Sequence, residues 1–391
     1  MIFEHVHIVD DEQDAVADIT VENGIISRID LSAEVAAPEM PVLLPAFTDL
    51  HAHFRDPGFT YKEDIVTGSR AAVRGGYTAV NLMPNTNPVV SSLEQARDVE
   101  RRIAQLNLIR ANQCISMTID EKGDDCSHLR RLEAGNIPFV SDDGKGVNRP
   151  DVMEEIFRIC KDKGFLIMAH EEDARYSPQD LRMAENAMTF RDIELCAKTG
   201  GAIHFCHVST RESIEAIAAA KRNGLRVSCE VTPHHIYWNA EQASRYRVAP
   251  PFRTDDDISA LVEALQSGVA DTISTDHAPH TPEDKAAGAN GISGIETAFP
   301  LCYTKLVKGG FLTLQKLVKL MSTTPSAMMR LNKGRFQTGM AADFVLVDLN
   351  EPYRINAADF ASRGKNTPFD GETVYGRILK TFKDGQPVFE A

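Results

Sequence analysis

Short apolar segments recur through the middle of this 391-residue chain, and stretches with helical spacing separate them. Strands that alternate with helices form parallel sheets, and eight such strands close into a barrel. The sequence therefore predicts an α/β protein of the (β/α)8 barrel type, with an open doubly wound sheet as the alternative. The eight predicted strands comprise residues 42–51, 78–83, 109–117, 137–141, 165–170, 202–207, 226–231 and 270–275. Helical spacing is clearest in residues 93–104, 151–163 and 213–222.

Both ends of the chain have a different pattern. The first 44 residues alternate apolar and polar side chains around turns such as Glu22-Asn23-Gly24, which is typical of short strands. The tail from Gly334 is similar, with the strand-like segment 344–348 and a turn at Gly385. We expect the ends to pair into one small β-sandwich domain, made of residues 1–44 and 334–391, around a barrel formed by residues 45–333.

Charge and cysteine content narrow the classes of function. The chain has 42 Lys and Arg against 56 Asp and Glu, which gives a formal net charge of −14. Such a surface repels phosphate backbones and anionic lipids, so neither nucleic acid nor a membrane is an expected partner. The seven cysteines form no CxxC pair, and the N-terminus lacks the basic start of a secretory signal. These features predict a cytoplasmic protein with reduced thiols.

Two histidines stand at the end of the first predicted barrel strand. His51 and His53 are separated by one residue, so on a strand they face the same side and can reach one cation. The spacing alone is a weak signal, because His5 and His7 also have it. That second pair lies in the alternating N-terminal segment, and we interpret it as solvated or packed.

Four more predicted strands end on residues that can bind metal. The strand ends of a barrel meet at one face, so these side chains should converge with the two histidines. His51, His53 and Asp276 would then hold one metal, and His170 and His207 a second. A carboxylate at Asp143 would bridge both metals. Imidazole with carboxylate suits zinc, and manganese or iron is also acceptable. The four ends carry Asp142 and Asp143, His170, His207, and Asp276.

The segment between His51 and Pro88 resembles the opening of the barrel in the dihydroorotase family of the amidohydrolase superfamily. The later blocks of that family follow in order as MAHEED, FCHVSTRES, VTPHH, APPFR, STDHAPH and GIETAFP. The resemblance covers essentially the whole chain and is closest to the bacterial type, in which an aspartate bridges the metals. It implies hydrolysis of a cyclic amide, namely the reversible conversion of dihydroorotate and N-carbamoyl-aspartate in pyrimidine biosynthesis.

The resemblance also assigns the metal centre residue by residue. It implies two Zn²⁺ per subunit, bridged by Asp143 and a hydroxide, with Asp276 as both ligand and catalytic proton shuttle. Of the neighbours Asp142 and Asp143, the second matches the ligand of the family. A carboxylated Lys145 is the alternative bridge, although it lies beyond the strand. The implied metal ligands are His51, His53, Asp143, His170, His207 and Asp276.

Substrate contacts follow from the negative charge of dihydroorotate. A carboxylate favours a guanidinium, and Arg55 lies two residues beyond His53. On its own, Arg55 would more simply form a surface ion pair with Asp56 or Glu63. By resemblance, Asn85 and His280 also contact the carboxylate, and backbone groups near Asn290 and Gly291 meet the ring amides. The implied substrate-binding set is His53, Phe54, Arg55, Asn85, His280, Asn290 and Gly291.

One residue departs from the family pattern. Ala249 stands where many relatives have an asparagine that touches the substrate, so one hydrogen bond, worth about 1 kcal/mol, must be replaced or lost. Alternative functions are a hydantoinase or allantoinase, whose substrates lack the carboxylate, and an inactive scaffold, which would have lost metal ligands. Residues 280–294 are polar and glycine-rich and suit either a lid or an ordinary loop. A homodimer and an association with aspartate carbamoyltransferase are partners that family analogy allows.

Overall fold

A computed structural model of the chain describes residues 1–133 and 138–391. The strands, in chain order, are β1 Ile2–Val9, β2 Asp14–Glu22, β3 Ile25–Leu31, β4 Val42–Pro45, β5 Phe47–Ala52, β6 Tyr77–Leu82, β7 Arg110–Gln113, β8 Phe139–Val140, β9 Leu166–Ala169, β10 Ala202–Phe205, β11 Arg226–Val231, β12 Thr272–Ile273, β13 Phe344–Asp348, β14 Tyr353–Arg354, β15 Thr373–Val374, β16 Arg377–Lys383 and β17 Gln386–Glu390. The α-helices are α1 Ile65–Arg74, α2 Leu93–Leu106, α3 Pro150–Lys163, α4 Leu181–Thr199, α5 Arg211–Arg222, α6 Pro233–Tyr237, α7 Asp255–Ser267, α8 Pro282–Ala286, α9 Ala298–Cys302, α10 Leu314–Val318 and α11 Thr324–Met328.

The middle of the chain folds into parallel strands that alternate with helices, as predicted. One sheet contains β5, β6 and β7, and a second contains β8 to β12 in chain order. Isolated parallel bridges between Ile115 and Val140 and between Ala52 and His277 join the two sheets at both edges. Of the predicted strand 137–141, residue Ile137 lies outside the described residues, and the observed strand is β8.

The first predicted barrel strand, residues 42–51, is wrong as a single element. It divides into β4, which belongs to a terminal sheet, and β5, which belongs to the parallel set. Pro45 ends β4 because it has no N–H for the ladder. The chain is then redirected at Ala46, whose N–H donates to the carbonyl of Asp343 at 3.0 Å. Lys333 Nζ fixes the same corner, donating to the carbonyls of Ala46 and Phe47 at 2.9 and 3.2 Å.

The two ends of the chain meet in one sheet of seven strands. Its order is β17-β16-β13-β4-β1-β2-β3, so strands from both termini flank β4. The buried side chains of Ile8, Ile19 and Phe344 belong to the cluster that packs beneath it. Because all seven strands are hydrogen-bonded in one continuous sheet, any sandwich that they make arises from this sheet folding back on itself.

Part of the C-terminal segment packs against the chain that follows β11 and β12 rather than on the terminal sheet. β14 and β15 pair in a two-stranded ribbon, and Phe360 and Phe369 lie in a buried cluster with Phe252 and Leu301. Asn366, in the same segment, accepts a hydrogen bond from the backbone N–H of His280 at 3.0 Å. The segment therefore reaches the end of the parallel sheets at which the candidate ligands lie.

The helices around the sheets begin where the side chains can cap them. Asp64 before α1 and Thr254 before α7 each accept a hydrogen bond from the third backbone N–H of their helix, in a reciprocal capping box. α1 and α2 bury one apolar face each. Within residues 1–133 and 138–391, the helices are all too short or too polar to cross a membrane.

Candidate metal centre and substrate pocket

The carboxyl ends of the parallel strands bring the predicted ligands into one place. Each ligand lies in or just after a strand, and all six side chains are buried. Because parallel strands start at one edge and end at the other, groups far apart in the sequence meet there. His51 lies in β5 and His53 just beyond it, and β8, β9, β10 and β12 are followed by Asp143, His170, His207 and Asp276.

Asp143 stands at the centre of this cluster. Its Oδ1 lies 3.2 Å from His51 Nε2 and 3.6 Å from both His170 Nδ1 and His207 Nε2. Its Oδ2 lies 3.5 Å from His53 Nε2. Asp143 therefore belongs to two groups of possible ligands, one with His51 and His53 and one with His170 and His207, each with its atoms within 4.8 Å of one another.

The donor set fits metal ions. His51 Nε2 and Asp143 Oδ1 are buried and face each other, and neither has a hydrogen-bond partner among the described residues. A cation would satisfy both, and imidazole with carboxylate is the set that zinc prefers. Asp276 Oδ1 adds a further oxygen, 3.1 Å from His53 Nε2 and 3.8 Å from His51 Nε2.

The neighbours of Asp143 point elsewhere. Asp142 accepts hydrogen bonds from the backbone N–H of Met117 and Thr118 at 2.7 and 3.0 Å, so its carboxylate is already occupied. The side chain of Lys145 is more than half exposed and lies 3.6 Å from Glu121. The structure brings Asp143 to the histidines, and neither Asp142 nor Lys145 joins them.

Electrostatics keep the two site aspartates ionised. Burial raises the pKa of Asp143, but His51, His170 and His207 outweigh burial and hold this pKa well below its usual value. For Asp276 burial also raises the pKa, while the hydrogen bond with His53 and the nearby His51 bring it below normal. Both side chains are therefore carboxylates, the form that binds metal.

The backbone near the centre is strained at three of its residues. Arg55, His207 and Asp276 have φ of 57°, 34° and 45°, in the left-handed region that side chains rarely adopt. Such conformations persist where the surrounding structure enforces them, and they concentrate at functional sites. Here they turn the chain sharply at the ends of β5, β10 and β12.

Glu230, in β11, is a site residue that the sequence reasoning missed. It is fully buried, and its Oε1 accepts a hydrogen bond from His51 Nδ1 at 2.8 Å. Ser274 Oγ donates to its Oε2 at 2.6 Å, and His204 Nε2 lies 3.2 Å from the same oxygen. The carboxylate thus fixes Nδ1–H on His51 and leaves Nε2 for a metal. An acidic residue inside the otherwise apolar end of a predicted central strand was the available signal.

Arg55 lies beside the metal cluster and next to His280. Its Nη2 is 3.3 Å from His280 Nε2, and its Nε is buried without a hydrogen-bond partner in the described part of the chain. The predicted alternative, an ion pair with Asp56 or Glu63, is wrong, because Asp56 pairs with Arg102 and Glu63 lies 3.4 Å from His277. A guanidinium with a buried free donor can receive a carboxylate.

Asn85 touches the ligands themselves. Its Oδ1 lies 2.9 Å from His53 Nδ1, and its Nδ2 donates to Asp143 Oδ2 at 3.1 Å. It therefore orients both His53 and Asp143, a role that the predicted substrate contact did not include.

The remaining predicted contacts are placed less directly. The ring of Phe54 is buried against Gly68 of α1, where an added Cβ would lie 2.7 Å from it, so this side chain supports the site from behind. The N–H of Gly291 donates to the carbonyl of Arg247 at 2.9 Å, and its own carbonyl accepts from Lys285 Nζ at 2.8 Å. The backbone of Gly291 is thus engaged within its loop, whereas Asn290 lines the pocket.

Ala249 lines a cavity of about 390 Å³ together with His170, Asn290 and Arg247. Asn290 and Arg247 are thus polar residues of the same cavity, which lacks the asparagine that the family pattern has at position 249. The loop of residues 280–294 is well held here, because Lys285 Nζ donates to the carbonyls of Arg247, Ala289 and Gly291.

The second histidine pair lies apart from this centre. His7 Nε2 is 2.7 Å from Asp14 Oδ1, and His5 Nε2 is 3.7 Å from Glu34, with both acids exposed. Neither histidine of this pair belongs to a group of possible metal ligands within residues 1–133 and 138–391. They stay surface residues of the terminal sheet.

Comparison of the sequence with known proteins gives consistent matches. The profile of the Amidohydrolase family matches residues 42–388. A dihydroorotase from Clostridium botulinum is 44% identical over 392 residues, covering 99% of this chain and 98% of that protein. A dihydroorotase from Pediococcus pentosaceus is 36% identical, covering 100% of this chain and 99% of that protein.

Solved structures with the same fold carry other names. The L-hydantoinase (dihydropyrimidinase) of Arthrobacter aurescens superposes with a TM-score of 0.87 at 26% identity, covering 100% of this chain and 96% of its own. The D-hydantoinase (dihydropyrimidinase) of a Thermus species gives 0.84 at 23% identity, with the same coverage, and this similarity shows the fold alone.

Proposed function

The chain belongs to the amidohydrolase family, and since it is similar over its whole length to curated dihydroorotases, we propose that it is a dihydroorotase. It is a hydrolase of cyclic amides. In one direction it would open the ring of dihydroorotate to N-carbamoyl-aspartate, and in the other close it.

One observation carries the choice of substrate. Arg55 is partly buried, and its Nε is buried without a hydrogen-bond partner in the described part of the chain, two residues from the proposed ligand His53. A buried N–H donor without a partner is costly unless a ligand completes it. Dihydroorotate bears a carboxylate on its ring, whereas the corresponding hydantoin and dihydrouracil rings carry no charge at this place. The arginine therefore favours the acidic ring.

We propose two metal ions, with zinc as the identity, held by the two groups that share Asp143. His51, His53 and Asp276 would hold one, and His170 and His207 the other. Such ions supply a nucleophile at neutral pH by lowering the pKa of bound water, and they polarise the amide carbonyl. The buried unpartnered atoms of His51 and Asp143 support this assignment.

The residues of the chain perform the proton transfer and the positioning. The carboxylate of Asp276 accepts a proton from the attacking water and returns it to the ring nitrogen when the carbon–nitrogen bond breaks. His53 Nε2 lies 3.1 Å from this carboxylate, close enough for both to hold the same ion. Arg55 with His280 orients the ring through its carboxylate, which fixes the carbonyl against the cluster.

The proposal also covers the fold, the cellular compartment and the partners of the chain. The parallel bridges at both sheet edges support a closed (β/α)8 barrel, with a small β domain built from residues 1–44 and 334–391 around a central 45–333. All seven cysteines are buried free thiols, which suits a reducing, cytoplasmic setting. A homodimer and an association with aspartate carbamoyltransferase stay predictions, which size-exclusion chromatography with and without that enzyme would test.

A pair of substrates tests the function directly. The purified chain should open dihydroorotate and act poorly on dihydrouracil, the same ring without the carboxylate. Arg55→Met should raise the KM for dihydroorotate by about 10- to 100-fold, because a charge-assisted bond of about 1.5–3 kcal/mol is lost. Arg102→Met, which removes the exposed partner of Asp56, is the matched control and should change little. Equal turnover of both rings, unaltered by Arg55→Met, would identify a hydantoinase-type enzyme instead.

A further inference from the structure

A second cavity, of about 530 Å³, has His280 in its wall and shares Tyr246 and Arg247 with the cavity beside Ala249. Six cationic residues line it, and no Asp or Glu is among its lining residues. This is unusual in a chain that carries 56 acidic and 42 basic residues. The cationic residues are Lys62, Arg245, Arg247, Lys285, Arg363 and Lys365.

Few of these charges are neutralised. Arg245 and Arg247 are exposed and form no ion pair with any acid of the described residues. Lys285 Nζ donates to three backbone carbonyls, which carry no net charge. Lys62 and Arg363 do have acidic partners, Asp284 and Asp64 respectively, but neither acid lines the cavity. The cavity therefore keeps an excess of positive charge.

The positive charge lowers the pKa values of two residues that line the cavity. The pKa of His280 is lowered to about 3 by burial and by Arg55, Lys62 and Lys285. The pKa of Lys285 is lowered to about 8 by burial and by Arg247. An anion within the cavity would relieve this repulsion.

Other features of the wall indicate the kind of anion. Tyr61 and Tyr246 also line the cavity, and an aromatic face can receive a planar ring. Its volume falls in the range of small-molecule sites and exceeds what one six-membered ring requires. Several cations with aromatic side chains match a ligand that carries both phosphate and base.

We propose that this cavity binds a nucleoside phosphate, with the phosphates among the cations and the base against a tyrosine. His280 connects it to the catalytic pocket, because its Nδ1 lies 3.3 Å from Lys62 Nζ and its Nε2 lies 3.3 Å from Arg55. A bound polyanion would neutralise charges that act on His280 and Arg55. The ligand should therefore raise the KM for dihydroorotate, which makes the cavity a regulatory site.

Binding is measured without turnover, so its result is independent of the proposed function. Calorimetry of the intact chain, as purified with its metal, is run with uridine 5′-triphosphate, adenosine 5′-triphosphate, pyrophosphate and uridine. A triphosphate should bind more tightly than pyrophosphate and far more tightly than uridine, and binding should weaken with added salt. Arg245→Glu should weaken binding by about tenfold or more, and Tyr61→Leu should remove the advantage of the nucleotides over pyrophosphate.

The matched control is Arg222→Glu, which makes the same charge change at the exposed end of α5. That end leads into the start of β11, at the opposite edge of the sheet from the metal cluster, so binding should be unaltered. Thermal unfolding of each variant checks that it is folded. Equal affinity of Arg245→Glu and wild type for the triphosphates would overturn the assignment. The absence of binding of either triphosphate at 1 mM would overturn it too, because this concentration is on the order of the weakest affinity expected of a small-molecule site. A drop in kcat/KM for N-carbamoyl-aspartate in Arg245→Glu, without nucleotide binding, would overturn it in favour of substrate steering.

Discussion

Replacing Glu230 by glutamine tests how the chain prepares His51 for a metal. The carboxylate receives His51 Nδ1 at 2.8 Å and Ser274 Oγ at 2.6 Å on its two oxygens. Glutamine has nearly the same shape, but its side chain has only one acceptor oxygen. Its NH₂ group would face one of these two donors, with which it cannot form a hydrogen bond. The substitution therefore removes the charge and leaves at least one buried donor without an acceptor.

The size of the effect follows from these contacts. A hydrogen bond to a charged group contributes about 1.5–3 kcal/mol, which corresponds to about 10- to 150-fold in an equilibrium constant. Part of this loss should appear in metal binding, because Glu230 holds the His51 tautomer that presents Nε2 to the metal. We expect Glu230→Gln to weaken metal binding by about 10- to 100-fold, the range seen for outer partners of ligating histidines.

The assay is competition for zinc with a chromogenic chelator, together with thermal unfolding of the metal-free chain. Glu185→Gln is the matched control, because Glu185 is also a buried acid, paired with Arg253 at 3.0 Å, and does not contact a metal ligand. Both variants should lose stability, and only Glu230→Gln should lose metal affinity. If the two variants bind zinc equally and as tightly as wild type, Glu230 serves the fold alone and the reasoning is refuted.

Three other predictions follow from the same geometry. Asp143→Asn should lower the metal content of both sites, since both groups share this carboxylate, whereas Asp142→Asn should keep the metal. Elemental mass spectrometry measures the metal content of the two variants, and full loading of Asp143→Asn would contradict the bridging role. Asp276→Asn should lower kcat by about 100-fold or more with a smaller change in KM, because the proton carrier is lost, and a kcat near wild type would rule out that role. Burial lowers the pKa of Lys333 to about 7 from 10.5, so between these pH values the unfolded chain binds a proton that the folded chain does not, and stability gains as the pH rises. The unfolding free energy of wild type relative to Lys333→Met should therefore rise from pH 7 to pH 10 in denaturant titrations, and a flat difference would show that the lysine stays charged.

The sequence predicted the fold well where one kind of periodicity dominated. Strand β11 and the ends of α3 and α5 agree with the predicted ranges because apolar spacing and strong stop signals coincide there. The segment 42–51 was misread because its apolar run is continuous through a change of sheet at Pro45. The contact of residues 353–374 with the chain after β11 and β12 was also missed, since such packing depends on tertiary contacts that no local pattern encodes.

The candidate site was likewise predictable from the sequence only in part. The meeting of the six candidate ligands was predictable because each ends a strand, and strand ends converge in this architecture. Glu230 was missed because its function is to receive hydrogen bonds from His51 and Ser274, residues 179 and 44 positions away, which only the folded chain brings together. The double role of Asn85, which touches both His53 and Asp143, was hidden for the same reason.

The most direct test of the account joins metal content to substrate charge in one experiment. The chain is stripped with a chelator, reloaded with zinc and assayed at each stage on dihydroorotate and on dihydrouracil. We expect ring opening of dihydroorotate to fall to background without metal and to return as zinc is restored toward two ions per chain. In the reloaded chain it should exceed the ring opening of dihydrouracil. Full activity in the stripped chain, or equal rates on the charged and the uncharged ring, would contradict the account.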